Sequence, residues 1–179
     1  RNVKVSLFDG ELTVPQLTFP QSKIATLSFT NIDLAQVLAL AQYNQVTLTG
    51  RANAILPFWL GHKECLICNG TFEQVGNVSI KLTDEMVKGL KKGGWTENIL
   101  VDLLKEMELQ NSHAAVTLDP KGQMTLRASI SGFNPTKRTN NPITLNYTHQ
   151  ENMFELWNMI DYGSQFEQNM QYNLYKQLD

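Results

Sequence analysis

Apolar and polar residues alternate along much of this chain. Successive side chains of a β-strand point to opposite faces, so the alternation predicts strands with one apolar and one solvated face. This pattern is typical of antiparallel sheets, because parallel sheets are covered on both faces and have near-continuous apolar strands. The predicted strands carry Val3/Val5/Leu7, Ala25/Leu27/Phe29, Val46/Leu48, Val78/Ile80/Leu82, Ala114/Val116/Leu118, Met124/Leu126/Ala128/Ile130 and Ile143/Leu145/Tyr147.

Two Asx-Gly pairs, Asp9-Gly10 and Asn69-Gly70, each stand between apolar segments. Asx residues and glycine tolerate the positive φ of tight hairpin turns, so each pair predicts a corner between two strands. The two glycines lie 60 residues apart, and strands and then a helix are predicted after each corner. We therefore expect a repeated strand-strand-helix unit, with copies at residues 1–60 and 61–120.

Amphipathic segments interrupt the strands and predict helices. Asp33, Thr83 and Thr96 are the expected N-caps, because their side-chain oxygens can accept hydrogen bonds from the first free backbone N–H groups. The last helix begins a predicted helical cap over residues 151–179. The predicted helices cover 33–42, 83–89, a run that begins at Thr96, and 153–160.

The apolar sheet face predicted here is larger than these helices can cover. A helix of ten residues is only about 15 Å long, whereas eight to ten strands would each offer an apolar face. The sheet either closes on itself as a sandwich or curls into an open trough for an apolar ligand. We expect a mainly β fold with packed helices (α+β), in which a long curved antiparallel sheet forms an open β-groove within a single elongated domain over residues 1–179.

Composition argues against a nucleic-acid partner and against a membrane-spanning segment within this chain. The chain has 179 residues, 42% of them hydrophobic and 18% charged, with a net charge of −2 at pH 7. Nucleic-acid binding needs clustered Lys and Arg, and the densest basic cluster here, at 88–92, falls in the last turn of a predicted helix. No segment approaches the roughly 20 apolar residues of a membrane span. Because the chain begins inside a predicted strand without a leading Met or signal segment, we expect it to be the C-terminal part of a longer protein.

No combination of residues in the sequence predicts catalysis. The Gly-x-Ser-x-Gly, Walker and His-Glu-x-x-His motifs are absent. His62, His113 and His149 stand far apart in the sequence, without the spacing of paired ligands. We therefore expect a protein that is not an enzyme, with no catalytic residues and no cofactor.

Several segments follow one another in an order that resembles the C-terminal region of YdbH-like proteins. They are residues 16–42, residues 48–58 with the Asn69-Gly70 pair after them, residues 121–135, and the stretch from Leu145 to Asn152. The resemblance covers roughly residues 10–160. Each segment is a weak motif by itself, and their common order carries the resemblance.

The resemblance implies a periplasmic protein of Gram-negative bacteria from the AsmA-like and TamB-like group. Such proteins are anchored in the inner membrane by an N-terminal helix, which this chain does not include, and move phospholipids toward the outer membrane along a β-groove. The implied partners are phospholipid acyl chains and a YnbE-like outer-membrane lipoprotein that adds strands at the C-terminal end. An older family label, dicarboxylate transport, lacks support because no Arg or Lys pair accompanies an apolar pocket. The candidate lining residues of the lipid groove are Val5, Leu7, Leu12, Val14, Leu27, Phe29, Val46 and Leu48.

The oxidising compartment that the resemblance implies bears on Cys65 and Cys68. A local disulfide and two free buried thiols are both open alternatives. A redox role is disfavoured, since the pair leads into a predicted corner and not into a helix N-terminus. A zinc site would need two more ligands, and only His62 is near in sequence, so no metal site is predicted.

A second function from another class also fits the sequence. A plain β-sandwich module would act as a scaffold and bind a protein or glycan in the cell envelope through exposed Trp59, Trp95 and Trp157. Phospholipid that co-purifies with the protein would distinguish lipid transfer from this alternative.

Overall fold

The structure, a computed structural model, describes residues 2–40, 46–92, 105–136, 141–155 and 158. These residues form nine β-strands and two α-helices. The strands are β1 (Val3–Leu7), β2 (Gly10–Val14), β3 (Ala25–Asp33), β4 (Val46–Phe58), β5 (Ile67–Leu82), β6 (Glu106–Leu109), β7 (His113–Leu118), β8 (Gln123–Phe133) and β9 (Ile143–Asn152). The helices are α1 (Leu34–Leu40) and α2 (Asp84–Lys92).

The strands form one meander in chain order. Every strand pair in the described part of the chain is antiparallel. β6 and β7 lie end to end, because both pair with β5 on one side and with β8 on the other. β1 and β9 are the outer strands: within the described residues β1 pairs only with β2, and β9 only with β8. The predicted antiparallel sheet with a few helices is confirmed.

The outer ladders of the sheet are regular, whereas the central ladders are not. The β1–β2, β7–β8 and β8–β9 ladders keep one register, but register shifts interrupt β3–β4, β4–β5 and β5–β7. The break between β6 and β7 is joined by the Gln74 side chain, which donates to the Leu109 carbonyl (2.9 Å) and accepts from the Ser112 N–H (2.9 Å). Bulges bend strands and increase their local twist. The bending of this sheet is therefore concentrated between β3 and β7.

The predicted corner at Asp9-Gly10 is a hairpin turn, displaced by one residue. Leu7 pairs with Gly10, so Phe8 and Asp9 are the turn residues, with φ of 50° and 58°. Two central residues of positive φ are typical of the tight turn that matches the twist of a hairpin. Arg51 ties this turn to the sheet, since its guanidinium donates to the Asp9 carbonyl (3.0 Å) and to Asp9 Oδ2 (2.8 Å).

The predicted corner at Asn69-Gly70 is wrong. Both residues lie inside β5, where Gly70 pairs with Val116 of β7. A register shift between Ile67 and Gly70 explains the positive φ of Asn69, 59°. A Cβ on Gly70 would lie 2.7 Å from Leu56 Cδ2 and 2.9 Å from Val116 Cγ1, so glycine is needed for close packing and not for a turn.

β5 lacks the corner with which the second predicted repeat unit would begin. The unit requires a corner and two strands in the region that β5 occupies as one strand of 16 residues. A single long strand is needed there because it pairs along its length with β4 on one side and with β6 and β7 on the other. The division into units at 1–60 and 61–120 stays a prediction.

Two of the predicted helix caps are confirmed. Asp33 Oδ1 accepts from the Ala35 N–H (2.9 Å) at the start of α1, and Thr83 Oγ1 accepts from the Met86 N–H (3.3 Å) at the start of α2. Residues 153–155 begin a helix that Asn152 caps through the Phe154 and Glu155 N–H groups. The helix predicted after Thr96 and most of the cap predicted over 151–179 lie outside the described residues.

The tightest packing lies in the middle of the sheet, beneath α1. Val78, Met107 and Leu109 form a buried cluster in which Met107 is 1% exposed and Val78 2%. Leu34 of α1 packs against this core cluster from above the sheet. The position of α1 identifies the side of the sheet that bears the cluster as its apolar face.

Candidate functional site

A row of mostly apolar side chains crosses the whole sheet on the apolar face. Directly paired residues of antiparallel strands point to the same face. Pairing connects one residue of each successive strand, from β1 through β5 and then β7 to β9, and with strands about 4.8 Å apart the row is about 34 Å long. We call it the transverse row. It consists of Val5, Leu12, Phe29, Ala54, Phe72, Ala114, Ala128 and Tyr147.

All eight predicted lining residues lie on the apolar face. Six of them belong to β1, β2 and β3, beside one outer edge, and two belong to the start of β4. One of these two, Leu48, packs against the core cluster, so the protein itself covers part of its surface. Their role in ligand binding stays a prediction. In chain order they are Val5, Leu7, Leu12, Val14, Leu27, Phe29, Val46 and Leu48.

The apolar face is hollow near its centre. A concavity of about 210 Å³ lies between α1 and the β7–β8 hairpin. Sequence reasoning missed most of this lining, because it considered only the first strands of the chain. The signal was present, since Val78 and Ala114 belong to alternating segments like those used for β1 to β3. The lining includes Leu34, Leu48, Phe72, Val78, Ala114 and Ile130.

The opposite face carries a larger hollow of different chemistry. Its volume is about 580 Å³, and it lies against the segment between β2 and β3. Thr13, Thr26 and Ser28, which point away from the apolar face, line it together with Gln21 and Lys23. The two sides of the sheet therefore differ as the alternation predicts, since mostly polar residues line this hollow and mostly apolar residues line the concavity on the apolar face.

Polar side chains occupy the apolar face on β9. Tyr147, His149 and Glu151 alternate along the strand and sit opposite Ala128, Leu126 and Met124 of β8. The Tyr147 hydroxyl lies 3.1 Å from His149 Nδ1, and His149 Nε2 lies 2.9 Å from Glu151 Oε2. The Tyr147 and His149 rings are stacked with centroids 6.0 Å apart. We call these three residues the polar row.

Sequence reasoning missed the polar row. It treated Tyr147 as the end of an apolar alternation and His149 as an isolated histidine. The spacing of Tyr147, His149 and Glu151 at every second position was visible, and in a strand this spacing places three side chains on one face. The pairing of β9 with β8 shows that this face is the apolar one.

A disulfide joins Cys65, in the loop between β4 and β5, to Cys68 of β5. His62 lies beside it, with Nδ1 at 3.6 Å from Cys65 Sγ and accepting from the Glu64 N–H (3.2 Å). The three side chains bring their ligand atoms within 4.8 Å of one another. Metals bind the thiolate form of cysteine, so the disulfide withholds both sulfurs from coordination.

Trp59 is built into the same loop. Its ring lies 4.5 Å from the His62 ring, centroid to centroid, and its Nε1–H donates to the Gln21 carbonyl (3.3 Å). Trp59 is half-buried, and these contacts hold its ring against the rest of the fold. Trp95 and Trp157, the other tryptophans of the predicted scaffold function, lie outside the described residues.

None of the helices described in this structure is long and apolar enough to cross a membrane. α1 has seven residues and α2 nine.

Comparison with known proteins gives one consistent result. The family model described as YdbH-like, intermembrane phospholipid transport protein YdbH, matches residues 1–175. A relative from Escherichia coli (strain K12), the probable phospholipid transport protein YdbH, is 25% identical over 166 residues, which cover 93% of this chain and 19% of the relative. The chain thus spans about a fifth of that protein's length. No solved structure matches the chain.

Proposed function

Because this chain belongs to the YdbH-like family, we propose that the apolar face of its sheet binds phospholipid acyl chains and takes part in their transport without catalysis. The observation that carries this proposal is the transverse row, which offers mostly apolar side chains from one outer strand to the other. Single exposed apolar residues are ordinary on protein surfaces, whereas a contiguous apolar surface marks a binding site.

The transport mechanism is passive sliding along the apolar face. Burial of an acyl chain of about 14 methylenes, at about 0.8 kcal/mol each, returns about 11 kcal/mol, which is comparable to what the chain loses on leaving a bilayer. If each strand offers similar apolar contacts, the free energy of the lipid changes little as it moves from one strand to the next. The head group faces away from the apolar side chains of the transverse row while the acyl chains move.

We further propose that this chain is part of a periplasmic bridge between the inner and outer membranes. In this proposal the curved sheet is one part of an open groove, and the parent protein is anchored in the inner membrane of a Gram-negative bacterium. The Cys65–Cys68 disulfide supports an oxidising location, because such bonds persist outside the cytosol. Thiol alkylation of cell extracts before and after reduction, read by mass spectrometry, tests this. Two free thiols in the native protein would contradict it.

The proposed protein partner is a YnbE-like outer-membrane lipoprotein that pairs with the sheet by strand addition. An outer strand leaves a row of backbone groups for such pairing, and β9 pairs only with β8 within the described residues. Photocrosslinkers on β9 at Thr148 and on β1 at Lys4 separate the two edges. Crosslinks to the lipoprotein from Lys4 and none from Thr148 would contradict addition at β9.

Lipid binding to the apolar face is tested by a charge placed on it. Leu27 pairs with Leu56 on the apolar face, whereas the adjacent Thr26 points to the other face. In Leu27→Asp we expect crosslinking of phospholipid from a photoreactive residue at position 56 to fall at least about tenfold, because an unpaired carboxylate is costly in an apolar contact.

Thr26→Asp is the matched control, since it adds the same charge next to the same residue on the solvated side. It should crosslink lipid as the wild type does. Circular dichroism and urea unfolding establish that both variants fold. A folded Leu27→Asp protein that crosslinks lipid at the wild-type level would exclude acyl-chain binding at this part of the face.

A further inference from the structure

The polar row interrupts an otherwise apolar surface and carries a negative charge there. Its three members lie on the apolar face beside Met124, Leu126 and Ala128 of β8. A charged group on such a surface is costly unless it is paired. Within the described residues no Lys or Arg nitrogen lies within 4.0 Å of the Glu151 carboxylate, and the nearest ring nitrogen is His149 Nε2 at 2.9 Å.

The hydrogen bonds of the row hold this carboxylate in a defined place. An ionised carboxylate only accepts hydrogen bonds, so His149 must donate from Nε2 to Glu151 Oε2 (2.9 Å). In the neutral imidazole Nδ1 is then the acceptor, and the Tyr147 hydroxyl donates to it (3.1 Å). With His149 neutral, the row keeps one full negative charge, at Glu151.

The row is also open to a ligand. The side chains of His149 and Glu151 are 40% and 38% exposed, and Tyr147 is 49% exposed. Its cross-strand neighbours Ala128 and, one strand further, Ala114 are small, which leaves space above the sheet beside the Tyr147 ring. A group can therefore approach the row from the same side as an acyl chain on the transverse row.

We propose that Glu151 binds the ammonium group of a phospholipid head group while the acyl chains of that lipid lie on the apolar face. A primary ammonium complements the carboxylate in charge and in hydrogen bonding, because it has three donors and no acceptor. His149 and Tyr147 are positioning residues that orient the carboxylate. This inference rests on the proposed function and adds the class of lipid: zwitterionic phospholipids with an amine are preferred over anionic ones.

The test is a competition between two lipids with the same acyl chains. Delipidated protein is incubated with vesicles of phosphatidylethanolamine and phosphatidylglycerol in equal amounts, and the bound lipid is extracted and quantified by mass spectrometry. We expect the wild type to take up phosphatidylethanolamine about fivefold more, as a partly exposed ion pair allows. Glu151→Gln should bring the ratio close to one, because it removes the charge and leaves the acyl-chain contacts of the apolar face in place.

Two further variants serve as comparisons. One removes a carboxylate from the other face of the sheet, and the other removes the hydroxyl that positions His149. Glu108→Gln removes the same charge from an exposed residue of β6 whose neighbours Met107 and Leu109 occupy the apolar face, so it should keep the wild-type ratio. Tyr147→Phe keeps the ring but loses the hydroxyl that holds His149, so the ratio should fall less than in Glu151→Gln.

The outcomes distinguish this inference from the function on which it rests. Lipid uptake by the wild type without a preference, or a preference that survives in Glu151→Gln, overturns the head-group site and leaves acyl-chain binding intact. Absence of any bound lipid from the wild type contradicts the proposed function and the head-group site together.

Discussion

β1 and β9 are both outer strands of one sheet, but they present different side chains on its apolar face. On β1 the face carries Val3 and Val5, which are 58% and 45% exposed. On β9 it carries Ile143 and Leu145 toward one end of the strand and the polar row toward the other. In the proposed function the two edges would therefore meet different parts of an amphipathic ligand, the hydrocarbon at β1 and a polar group beside the polar row. One antiparallel sheet can in this way differ in surface chemistry from one edge to the other.

The largest effect is expected from a substitution in the core cluster, which tests whether this cluster stabilises both β1 and β9. Met107, 1% exposed, belongs to the core cluster between them. We expect Met107→Ala to lower the free energy of unfolding by about 2 to 5 kcal/mol, because it leaves a cavity among packed side chains. Urea unfolding measures the change, and amide hydrogen exchange should accelerate at both edges.

Met124→Ala is the control for that variant, since Met124 is only half-buried on β8. It should destabilise the protein less. Acceleration confined to one edge in Met107→Ala would show that β1 and β9 belong to separately stable parts.

A smaller effect is expected from a change on the β9 side. Gly122 has φ of 90°, and a Cβ there would lie 2.5 Å from Phe154 Cδ2, in the turn that leads into β8. We expect Gly122→Ala to cost about 1 to 3 kcal/mol through backbone strain and this clash. Amide exchange should accelerate in β8 and β9. Gly61→Ala is a matched control for positive φ, because nothing lies within 4 Å of its Cβ position.

The smallest effect is expected from a change on the β1 side. Arg51 joins the β1–β2 turn to β3, since it bonds Asp9 and also donates to the Asn31 carbonyl (2.7 Å). We expect Arg51→Ala to cost about 1 to 2 kcal/mol, as charge-assisted hydrogen bonds in a half-exposed position are lost. Amide exchange should accelerate in β1 and β2 and stay unchanged in β9. Equal acceleration at both edges would remove the basis for treating them as distinct.

Local sequence predicted much of this fold, because its strands and caps depend on neighbouring residues. Period-two alternation predicted the strands, and Asp33 and Thr83 predicted where α1 and α2 begin. The turn predicted at Asn69-Gly70 was wrong, because a glycine can be required either by a turn or by close packing within a strand. Its glycine is required by the side chains of Leu56 and Val116, which come from other strands and are invisible to a local pattern.

The candidate site was predictable only in part. Alternation places Val5 and Leu12 on the apolar side of their own strands, and pairing then joins these strands into one face. The alternation of Ile143, Leu145 and Tyr147 places the polar row on the apolar side of β9, but the contacts among Tyr147, His149 and Glu151 depend on side-chain positions that a local pattern does not contain. For Cys65 and Cys68 the sequence left two redox states open, and the distance between two side chains decides between them.

The irregular ladders in the middle of the sheet have a geometric consequence. Where bulges interrupt a ladder, the strands bend and twist more strongly than where they keep one register. β1–β2 and β8–β9 keep one register, and the register shifts lie between β3 and β7. The distance between the valines of β1 and the Glu151 carboxylate of β9 is thus set by the middle of the sheet, far from either.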